Sequence, residues 1–465
     1  MRGVTMLSLI DVFDRAVDGP LMSDQDYYLK RYVPALTKVI QKYKIKYTPD
    51  TPLVSDDAQA DAVFEAAVDF FASVGAYCPD TSRVMEFTED EILQAAAKAP
   101  SESTFGEGPD RKIMRSRKPD EHTEPWYHCG GGIYTTSEAI FMNQVEGLAS
   151  IRKANSLSIP SSIFIKGKDA RVRSPHEVLA TIKTVTMARD ACRRAGRPGL
   201  PILNGISTAT GPISMFAASH PQFGLRPSDG FLIDSLAELV VDFEALDKVA
   251  FFTSIGANIG STSTPLFGGY NGGAEGNAVV TVVYNLLGIL VFRGTYHYNA
   301  PLHTKLRVSS TRPLLWVIAV ANQALHRNAP YPTVNLPYLG GGAGTDCYYY
   351  EMAAYHTCVV TSGGNMLSGH PSIAVAPDSL VPLDHVLNVE VAEAASKLTR
   401  KEANPVVLKC LEKYENMLKD PPKGVSYPDC YDVTTGKLTN AEYAGNADRI
   451  RSEFRNIGLP VEKSM

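Results

Sequence analysis

Glu275 could transfer a proton, because it lies near the end of a glycine-rich segment, PLFGGYNGGAEG at residues 265–276. A carboxylic acid held beside a reacting group can protonate a poor leaving group, which typically accelerates a reaction by roughly 10²–10⁴-fold. A carboxylate in the first turn of a helix also interacts favourably with the helix dipole. We therefore predict either a catalytic acid or a helix-terminal acid at Glu275, and the sequence favours neither.

His297 lies in a second candidate segment, TYHYNA at residues 295–300. Side chains alternate between the two faces of a strand, so His297 lies opposite Tyr296 and Tyr298, and only one of these sets can face the centre of a barrel. His297 could be a general acid, whereas a hydrogen-bonded histidine of the core is the structural alternative. We include Asn299 of the same segment among the candidate substrate-binding residues.

Five tyrosines lie in segments that we expect at strand ends, namely Tyr270, Tyr296, Tyr298, Tyr331 and Tyr338. The face of an aromatic ring attracts a quaternary ammonium group by roughly 0.5–2 kcal/mol. Two or three of these rings could form a cage for such a cation. The alternative for any single tyrosine is packing inside the fold or at a subunit contact.

The elements that would position these residues follow a βαβα rhythm. From about residue 133, short apolar or β-branched runs alternate with longer helical patterns, which indicates a parallel sheet. We predict an α/β fold built as an eight-stranded TIM-type barrel, with an open doubly wound sheet as the alternative. The predicted strands include residues 161–167, 200–205, 249–256, 295–300, 330–336 and 372–377.

The glycine-rich segment follows the predicted strand 249–256, and residues 232–247 before that strand read as a helix. A loop between a strand and the next helix lies on the face where such barrels bind ligands. Glycines there could let a ligand lie against the backbone, whereas a turn that only packs barrel to helix is the alternative.

Three regions are expected along the chain. Residues 1–132 should form an N-terminal helical extension with a connecting loop, and Thr88 with Glu91 form a capping-box pattern that predicts a helix start. Residues 133–405 should form the barrel. Residues 406–465 should form a C-terminal helical tail that packs on it.

Composition excludes several classes of protein. The 465 residues carry a formal net charge of −5, which does not indicate nucleic-acid binding. The longest apolar stretch, residues 278–292, is too short and interrupted to span a bilayer, and we expect no signal peptide. Seven scattered cysteines without a CxxC pair indicate a reduced cytoplasm. His356 and Cys358 do not share a face of their predicted helix, so we predict no metal site.

Several motifs give the chain a resemblance to a known family. In order and spacing, the chain resembles the monomethylamine methyltransferases of methylotrophic methanogens over nearly its whole length. The matching stretches are VFDRA (12–16), GAYCPDTSRVMEFTEDEI (75–92), SPHEVLA (174–180), AGRPG (195–199), PLFGGYNGG (265–273), HYNAPLH (297–303) and CYDVTT (430–435).

The resemblance implies an activity and its partners. It implies an eight-stranded barrel in a homo-oligomer such as a hexamer, which moves a methyl group from a small methylated donor to the Co(I) of a separate corrinoid protein. A corrinoid is large and flat, so glycines at the barrel mouth would let it approach, and His297 could also contact it. The implied corrinoid-contact residues are Gly268, Gly269, Gly272 and Gly273.

The chain departs from the family where the family's pyrrolysine is expected. That position falls on Leu203 or Asn204, and Asn204 fits better because Gly205 follows it. Two family glutamates fall on Leu232 and Thr262, and a family glutamine falls on Ala329. The resemblance implies that these three residues line the substrate pocket, and we include Leu203 and Tyr331 with them as candidate substrate-binding residues.

An asparagine or a leucine cannot form the amine adduct attributed to pyrrolysine. We therefore predict a pyrrolysine-free methyltransferase, with Asn204 in the catalytic position, that uses a methylamine-like donor such as a quaternary amine. A quaternary donor would carry its own activation, because its leaving group departs neutral. The alternative is a non-catalytic binding or regulatory relative that kept the barrel and lost the chemistry.

Overall fold

The computed structural model describes the chain over residues 7–162, 164–165, 168–207, 210–371 and 377–463. An extension of helices and two short antiparallel hairpins precedes the barrel. Helix α5 begins at the capping box of Thr88 and Glu91, which confirms the predicted helix start. The elements of the extension are α1 Leu9–Asp18, α2 Asp24–Asp26, a π-helix Tyr27–Tyr32, α3 Val33–Lys42, α4 Asp57–Val74, β1 Ala76–Cys78, β2 Arg83–Met85, α5 Glu89–Lys98, β3 Glu102–Phe105, a 3₁₀ turn Gly108–Asp110 and β4 Lys112–Arg115.

Eight parallel strands form a nearly closed barrel, which confirms the predicted TIM-type α/β fold. Seven of the eight junctions between neighbouring strands are backbone ladders, including the one that joins the last strand to the first. The barrel strands are β5 Tyr127–Gly130, β6 Ser156–Ser158, β9 Ile202–Asn204, β10 Gly230–Asp234, β11 Asn258–Ser263, β13 Tyr296–Asn299, β15 Thr333–Asn335 and β17 Asn365–Leu367. Short two-stranded ladders join β7 Phe164–Ile165 to β8 Lys168–Asp169, β12 Leu266–Phe267 to β14 Leu302–His303, and β16 Tyr338–Leu339 to β18 His370–Pro371.

The barrel has a seam between β9 and β10, which lie side by side without a backbone ladder. Side chains bridge the two strands instead. The backbone amide of Ile202 donates to Asp229 Oδ1 at 2.9 Å, and the Tyr296 hydroxyl donates to the Leu203 carbonyl oxygen at 3.2 Å. A Cβ atom on Gly230 would lie 2.1 Å from the Tyr296 hydroxyl oxygen, so this position requires glycine.

Helices surround the barrel, and α10 is the most deeply enclosed of those described here. All of its residues except Glu275 are buried, because it lies between the strands and helices α3, α4 and α5 of the extension. The apolar stretch 278–292 is therefore an internal helix for the most part. The barrel helices are α6 Glu138–Ala149, α7 Pro175–Arg194, α8 Pro212–Ala218, α9 Phe243–Ser254, α10 Ala274–Leu290, α11 Arg312–Asn328, α12 Asp346–Thr361 and α13 Pro382–Ala395.

Inward-facing apolar side chains fill the interior of the barrel. They pack against Phe105 and Met114 of the β3–β4 hairpin and against Trp126, which precedes β5. These three residues close the end of the barrel at which the strands begin. The other buried members of this cluster are Leu203, Leu232, Tyr296, Tyr298, Val334 and Leu367.

Three of the predicted strands are confirmed, because residues 200–205, 295–300 and 330–336 contain β9, β13 and β15. Of the prediction for residues 161–167, positions 163, 166 and 167 lie outside the described residues, and the prediction for residues 372–377 lies almost wholly outside them.

Two assignments near the glycine-rich segment are wrong. Residues 249–256 are not a strand, since most of them belong to α9. Residues 232–247 are not one helix, since Leu232 to Asp234 end strand β10. The glycine-rich segment nevertheless joins a strand to a helix, because it lies between β11 and α10.

The barrel begins earlier along the chain than residue 133, because its first strand is β5 Tyr127–Gly130. At the other end, the expected boundary after residue 405 falls inside a helix that packs against α12. The elements after α13 are α14 Arg400–Tyr414, a 3₁₀ turn Glu415–Met417, α15 Tyr427–Cys430 and α16 Ala441–Ile457.

Candidate functional site

A cavity of about 350 Å³ opens where the barrel strands end. Each of the eight strands contributes a residue from its end or from the loop that follows it, which is where TIM-type barrels bind substrates. The polar and aromatic lining includes Ser158, Asn204, Asp234, Thr262, Tyr298, Tyr338 and His370, and the apolar lining includes Leu232, Leu336 and Leu367.

Asn204 ends strand β9 and lines the cavity. Its Nδ2 donates to Ser158 Oγ at 3.1 Å, and its buried Oδ1 has no hydrogen-bond partner within the described part of the chain. The amide oxygen could therefore accept a hydrogen bond from a ligand or from water. Leu203, immediately before it, packs inside the barrel and does not line the cavity.

Asp234 ends strand β10 and places a carboxyl group in the cavity wall. Burial raises the pKa of this carboxyl to about 7, and the positive charge of Lys248 on α9 only partly offsets the effect of burial. None of the hydrogen bonds formed among the described residues ends on the Asp234 carboxylate, whereas the nearby Asp229 and Asp242 both accept from backbone amides. A half-buried carboxyl that accepts no described hydrogen bond favours the binding of a cation or a proton.

Tyr298 is held in the cavity wall by a buried hydrogen-bond chain. Its hydroxyl bonds Nε2 of His128, whose Nδ1 lies 2.7 Å from Ser156 Oγ. Trp126 Nε1 donates to the same serine oxygen at 2.7 Å. Burial lowers the pKa of His128 to about 3, so its ring is neutral at physiological pH.

Tyr338 and His370 complete the polar side of the cavity. Burial raises the pKa of Tyr338 to about 12, and the neighbouring charge of Asp234 contributes less. His370 Nδ1 lies 2.8 Å from the carbonyl oxygen of Ser368. A carbonyl only accepts, so Nδ1 carries the proton and Nε2 is the unprotonated nitrogen of the neutral ring. Burial lowers the pKa of His370 to about 4.

His297 and Asn299 lie on the outer face of β13, away from the cavity. Nδ1 of His297 lies 2.6 Å from Ser261 Oγ, and Nε2 lies 3.2 Å from Ser263 Oγ. Asn299 Oδ1 accepts a hydrogen bond from Asn285 of α10 at 2.8 Å. Burial lowers the pKa of His297 to about 3, and this geometry supports the core interpretation of His297 rather than a general acid.

Three other candidates also lie away from the cavity. Tyr296 packs inside the barrel at the seam. Ala329 follows the last residue of α11, and Tyr331 precedes β15, so both lie at the end of the barrel where the strands begin. Ala329 therefore does not line this cavity, and Leu336, which follows β15, lies in the cavity wall.

Glu275 lies in the first turn of α10 and does not line the cavity. Its Oε1 accepts a hydrogen bond from the backbone amide of Tyr47 in the N-terminal extension, at 3.1 Å. The helix-terminal interpretation therefore accounts for the contacts of Glu275.

The glycine-rich segment forms a tight turn beside the cavity strands. Gly268 donates its backbone N–H to the carbonyl oxygen of Gly272 at 2.9 Å. Both residues have positive φ, at 87° and 64°, which only glycine adopts readily. The half-exposed Tyr270 at the tip stacks on Tyr28 of the extension, with ring centroids 4.7 Å apart, and contributes nothing to the cavity.

A family model described as monomethylamine methyltransferase MtmB matches residues 7–459. The chain belongs to the MtmB family. It is a methyltransferase, which confirms the resemblance recognised in the sequence motifs.

Relatives of the MtmB family match almost the entire chain. Monomethylamine methyltransferase MtmB2 of Methanosarcina acetivorans is 27% identical over 452 residues, which is 97% of each chain. Monomethylamine methyltransferase MtmB of Methanosarcina mazei is also 27% identical with the same coverage. The crystal structure of the Methanosarcina barkeri enzyme MtmB covers 99% of each chain with a TM-score of 0.93 and 26% identity.

Sequence reasoning missed two cavity residues of this MtmB-family chain, Asp234 and His370. Asp234 was hidden because residues 232–247 read as a helix, and a carboxylate at the end of a recognised strand would have been a candidate. His370 stands in the ladder of β18 with β16, just beyond β17.

Two further kinds of feature are absent from the described part of the chain. It holds no group of three or more His, Cys, Asp and Glu side chains placed to bind a metal ion. None of its helices is both long enough and apolar enough to cross a membrane.

Proposed function

We propose that the chain transfers a methyl group from a small methylated donor to the Co(I) of a corrinoid carried by a partner protein, without a pyrrolysine adduct. The main observation behind this proposal is the cavity at the strand ends. Asn204 lies in its wall, at the position where the family resemblance implies pyrrolysine. The family and the near-complete coverage of its members support the reaction class.

The chemistry requires an in-line arrangement. The cobalt electron pair forms the new bond to the methyl carbon, and the pair of the broken bond stays on the leaving atom of the donor. A quaternary ammonium or sulfonium leaves neutral and needs no proton, which suits a cavity whose asparagine amide cannot form an adduct. The protein would orient the donor and hold its methyl group toward the open mouth of the barrel.

The residue roles in this proposal follow the geometry of the cavity. Asn204 and Thr262 would contact the donor through polar atoms, and Leu232 would contact it through its apolar side chain. Tyr298 would contribute an aromatic wall. The partner would approach the rim formed by Gly268, Gly269, Gly272 and Gly273, where Gly272 has open space around its Cα.

The cell compartment and assembly are part of the same proposal. Seven free and buried cysteines fit a reduced cytoplasm. Large apolar side chains exposed on the extension fit burial in a homo-oligomer.

The test is a visible-absorbance assay of the purified protein with a Co(I)-corrinoid protein and a panel of donors. The panel contains mono-, di- and trimethylamine, betaines, choline, methylated sulfur compounds and methoxy compounds. We expect conversion of Co(I) to methyl-Co(III) with one cationic donor and no enzyme-like rate with monomethylamine. Turnover of monomethylamine at a rate typical of an enzyme would contradict the proposal that the donor carries its own activation.

The second candidate is a non-catalytic binding or regulatory relative. It is favoured by Leu232 and Thr262, which give the cavity an apolar group and a hydroxyl where the resemblance expects carboxylates. Binding of the corrinoid partner with no methyl transfer across the whole panel would support this candidate.

A further inference from the structure

We propose that the donor is a methylated ammonium ion with an apolar substituent of several heavy atoms. Asp234 binds its positive nitrogen, and Leu232, Leu336 and Leu367 contact its substituent. This inference rests on the proposed methyl transfer and specifies the substrate class for the same cavity.

The first observation is the position of the acid along β10. Leu232 and Asp234 are two residues apart in one strand, so their side chains lie on the same face, and both line the cavity. The chain runs toward the mouth along β10, so Asp234 lies nearer the mouth than Leu232. A cation bound at Asp234 leaves the deeper space to a part of the ligand without charge.

The second observation is that the Asp234 carboxylate has no other described partner. Glu177 also lines the cavity, but its Oε2 accepts from Ser214 Oγ at 2.7 Å and from the Gly211 backbone amide at 3.3 Å. Lys248 on α9 acts on Asp234 through its positive charge, which lowers the pKa of the carboxyl less than burial raises it. Among the described cavity-wall carboxylates, Glu177 is therefore held by protein donors through Oε2, whereas Asp234 accepts none of the described hydrogen bonds.

The third observation is the chemistry around that carboxylate. Tyr298 and Tyr338 line the same cavity, and aromatic rings attract ammonium groups. The inner wall is apolar, because Leu232 and Leu367 belong to the cluster that fills the barrel and Leu336 packs against it. A ligand that matches both parts has a methylated cationic end and an apolar end.

The fourth observation is the size of the cavity. A water molecule takes about 30 Å³ in the liquid, so methylammonium, with two heavy atoms, takes roughly 60 Å³. The cavity of about 350 Å³ has space for several further heavy atoms. A donor as small as methylammonium would leave the apolar wall without contacts.

The experiment is isothermal titration calorimetry on the full-length protein without the corrinoid partner. The probes are butyltrimethylammonium, tetramethylammonium, methylammonium and the neutral alcohol 3,3-dimethylbutan-1-ol. We expect butyltrimethylammonium to bind at least tenfold more tightly than methylammonium, and the neutral alcohol to give no measurable binding. Equal affinities for the butyl and methyl cations, or comparable binding of the alcohol, would overturn the inference.

Variants assign the binding to named residues. Asp234→Asn keeps the side-chain shape and should weaken butyltrimethylammonium binding at least tenfold. The matched control is Asp247→Asn, which removes an exposed carboxylate from the neighbouring helix α9 and should leave the affinity unchanged. Leu336→Trp should fill the apolar end of the cavity and weaken the binding of butyltrimethylammonium more than the binding of tetramethylammonium. This variant tests the inference even if Asp234→Asn does not fold. Unchanged affinity in folded Asp234→Asn, or an equal loss for both cations in Leu336→Trp, would overturn it.

The outcomes separate this inference from the proposed function. Binding that depends on Asp234, without methyl transfer from any donor, would support the site and contradict the methyltransferase proposal. Methyl transfer from a neutral donor, unaffected by Asp234→Asn, would support the reaction and overturn the inference.

Discussion

The carboxyl group of Asp234 holds a proton more tightly than an ordinary aspartate, since burial raises its pKa from 3.8 to about 7. A proton and a cationic ligand compete for the same carboxylate. The affinity for butyltrimethylammonium, whose charge does not change with pH, should therefore rise about tenfold between pH 6 and pH 8 as the ionised fraction grows. Calorimetric titrations across this range measure the change.

The control for this pH dependence is Asp234→Asn, whose affinity should be flat over the same range. The groups that face Asp234 include Lys248, Asp242, Tyr338 and His370. Tyr338, with a pKa of about 12, and His370, with a pKa of about 4, keep their charge between pH 6 and pH 8. A slope that persists in Asp234→Asn would show that another group controls binding.

The orientation of a single side chain could be predicted only where the residues that pack against it could also be predicted. The alternation in TYHYNA correctly separates His297 from Tyr296 and Tyr298, but it does not say which set faces inward. That choice depends on glycines elsewhere in the chain that leave room for the side chains. A Cβ on Gly260 would lie 2.4 Å from the Tyr296 ring, and a Cβ on Gly288 would lie 3.2 Å from His297 Nδ1. Such long-range complementarity is not visible in a local pattern.

At the scale of elements, Glu275 belongs to the start of α10, and its substitution tests that assignment. Glu275→Gln retains an oxygen that can accept from the Tyr47 amide and removes the charge. We expect turnover within about twofold of the wild type and a loss of roughly 0.3–1 kcal/mol in the free energy of unfolding. Steady-state rates with the identified donor, together with urea denaturation, measure both. A loss of turnover of 100-fold or more would restore the catalytic-acid interpretation.

Helix α10 packs so closely on the barrel that one of its positions accepts no side chain. A Cβ on Gly288 would lie 2.1 Å from Ser261 Oγ, so Gly288→Ala should lower the free energy of unfolding by about 1–3 kcal/mol. The matched control is Gly445→Ala in α16, where a new Cβ would meet no neighbouring atom within 4 Å outside its own stretch of helix. Alanine should stabilise this helix by roughly 0.5–1 kcal/mol. Similar denaturation midpoints for the two variants would contradict this packing.

Strands β6, β10 and β11 explain why the elements were only partly predictable. The sequence of β6 is SLS and that of β11 is NIGSTS, which are rich in small polar residues that rarely mark a strand. Strand β10 is almost wholly buried on both faces, so its apolar run does not alternate and resembles a buried helix. The strands with tyrosine and valine, β13 and β15, were found.

At the scale of the whole molecule, the barrel was predictable because its rhythm repeats and its motifs keep family order along the chain. The homo-oligomer stays a prediction. Side chains such as Ile10, Leu21 and Leu29 are more than half exposed on the extension, and burial in a subunit interface would remove them from water. Analytical ultracentrifugation should give a mass several times the 50.5 kDa of one chain. A mass of 50.5 kDa at micromolar concentration would contradict this.

The seam between β9 and β10 has a consequence for how this enzyme could acquire new donors. Asn204 and Asp234 stand on the two strands that no main-chain ladder joins, and side chains such as Tyr296 and Asp229 set the separation of these strands. Exchanging those side chains would increase or decrease the distance between β9 and β10 while the seven ladders of the sheet stay intact. A few substitutions at the seam could therefore adapt the cavity to larger or smaller donors during evolution, while the rest of the barrel stays unchanged.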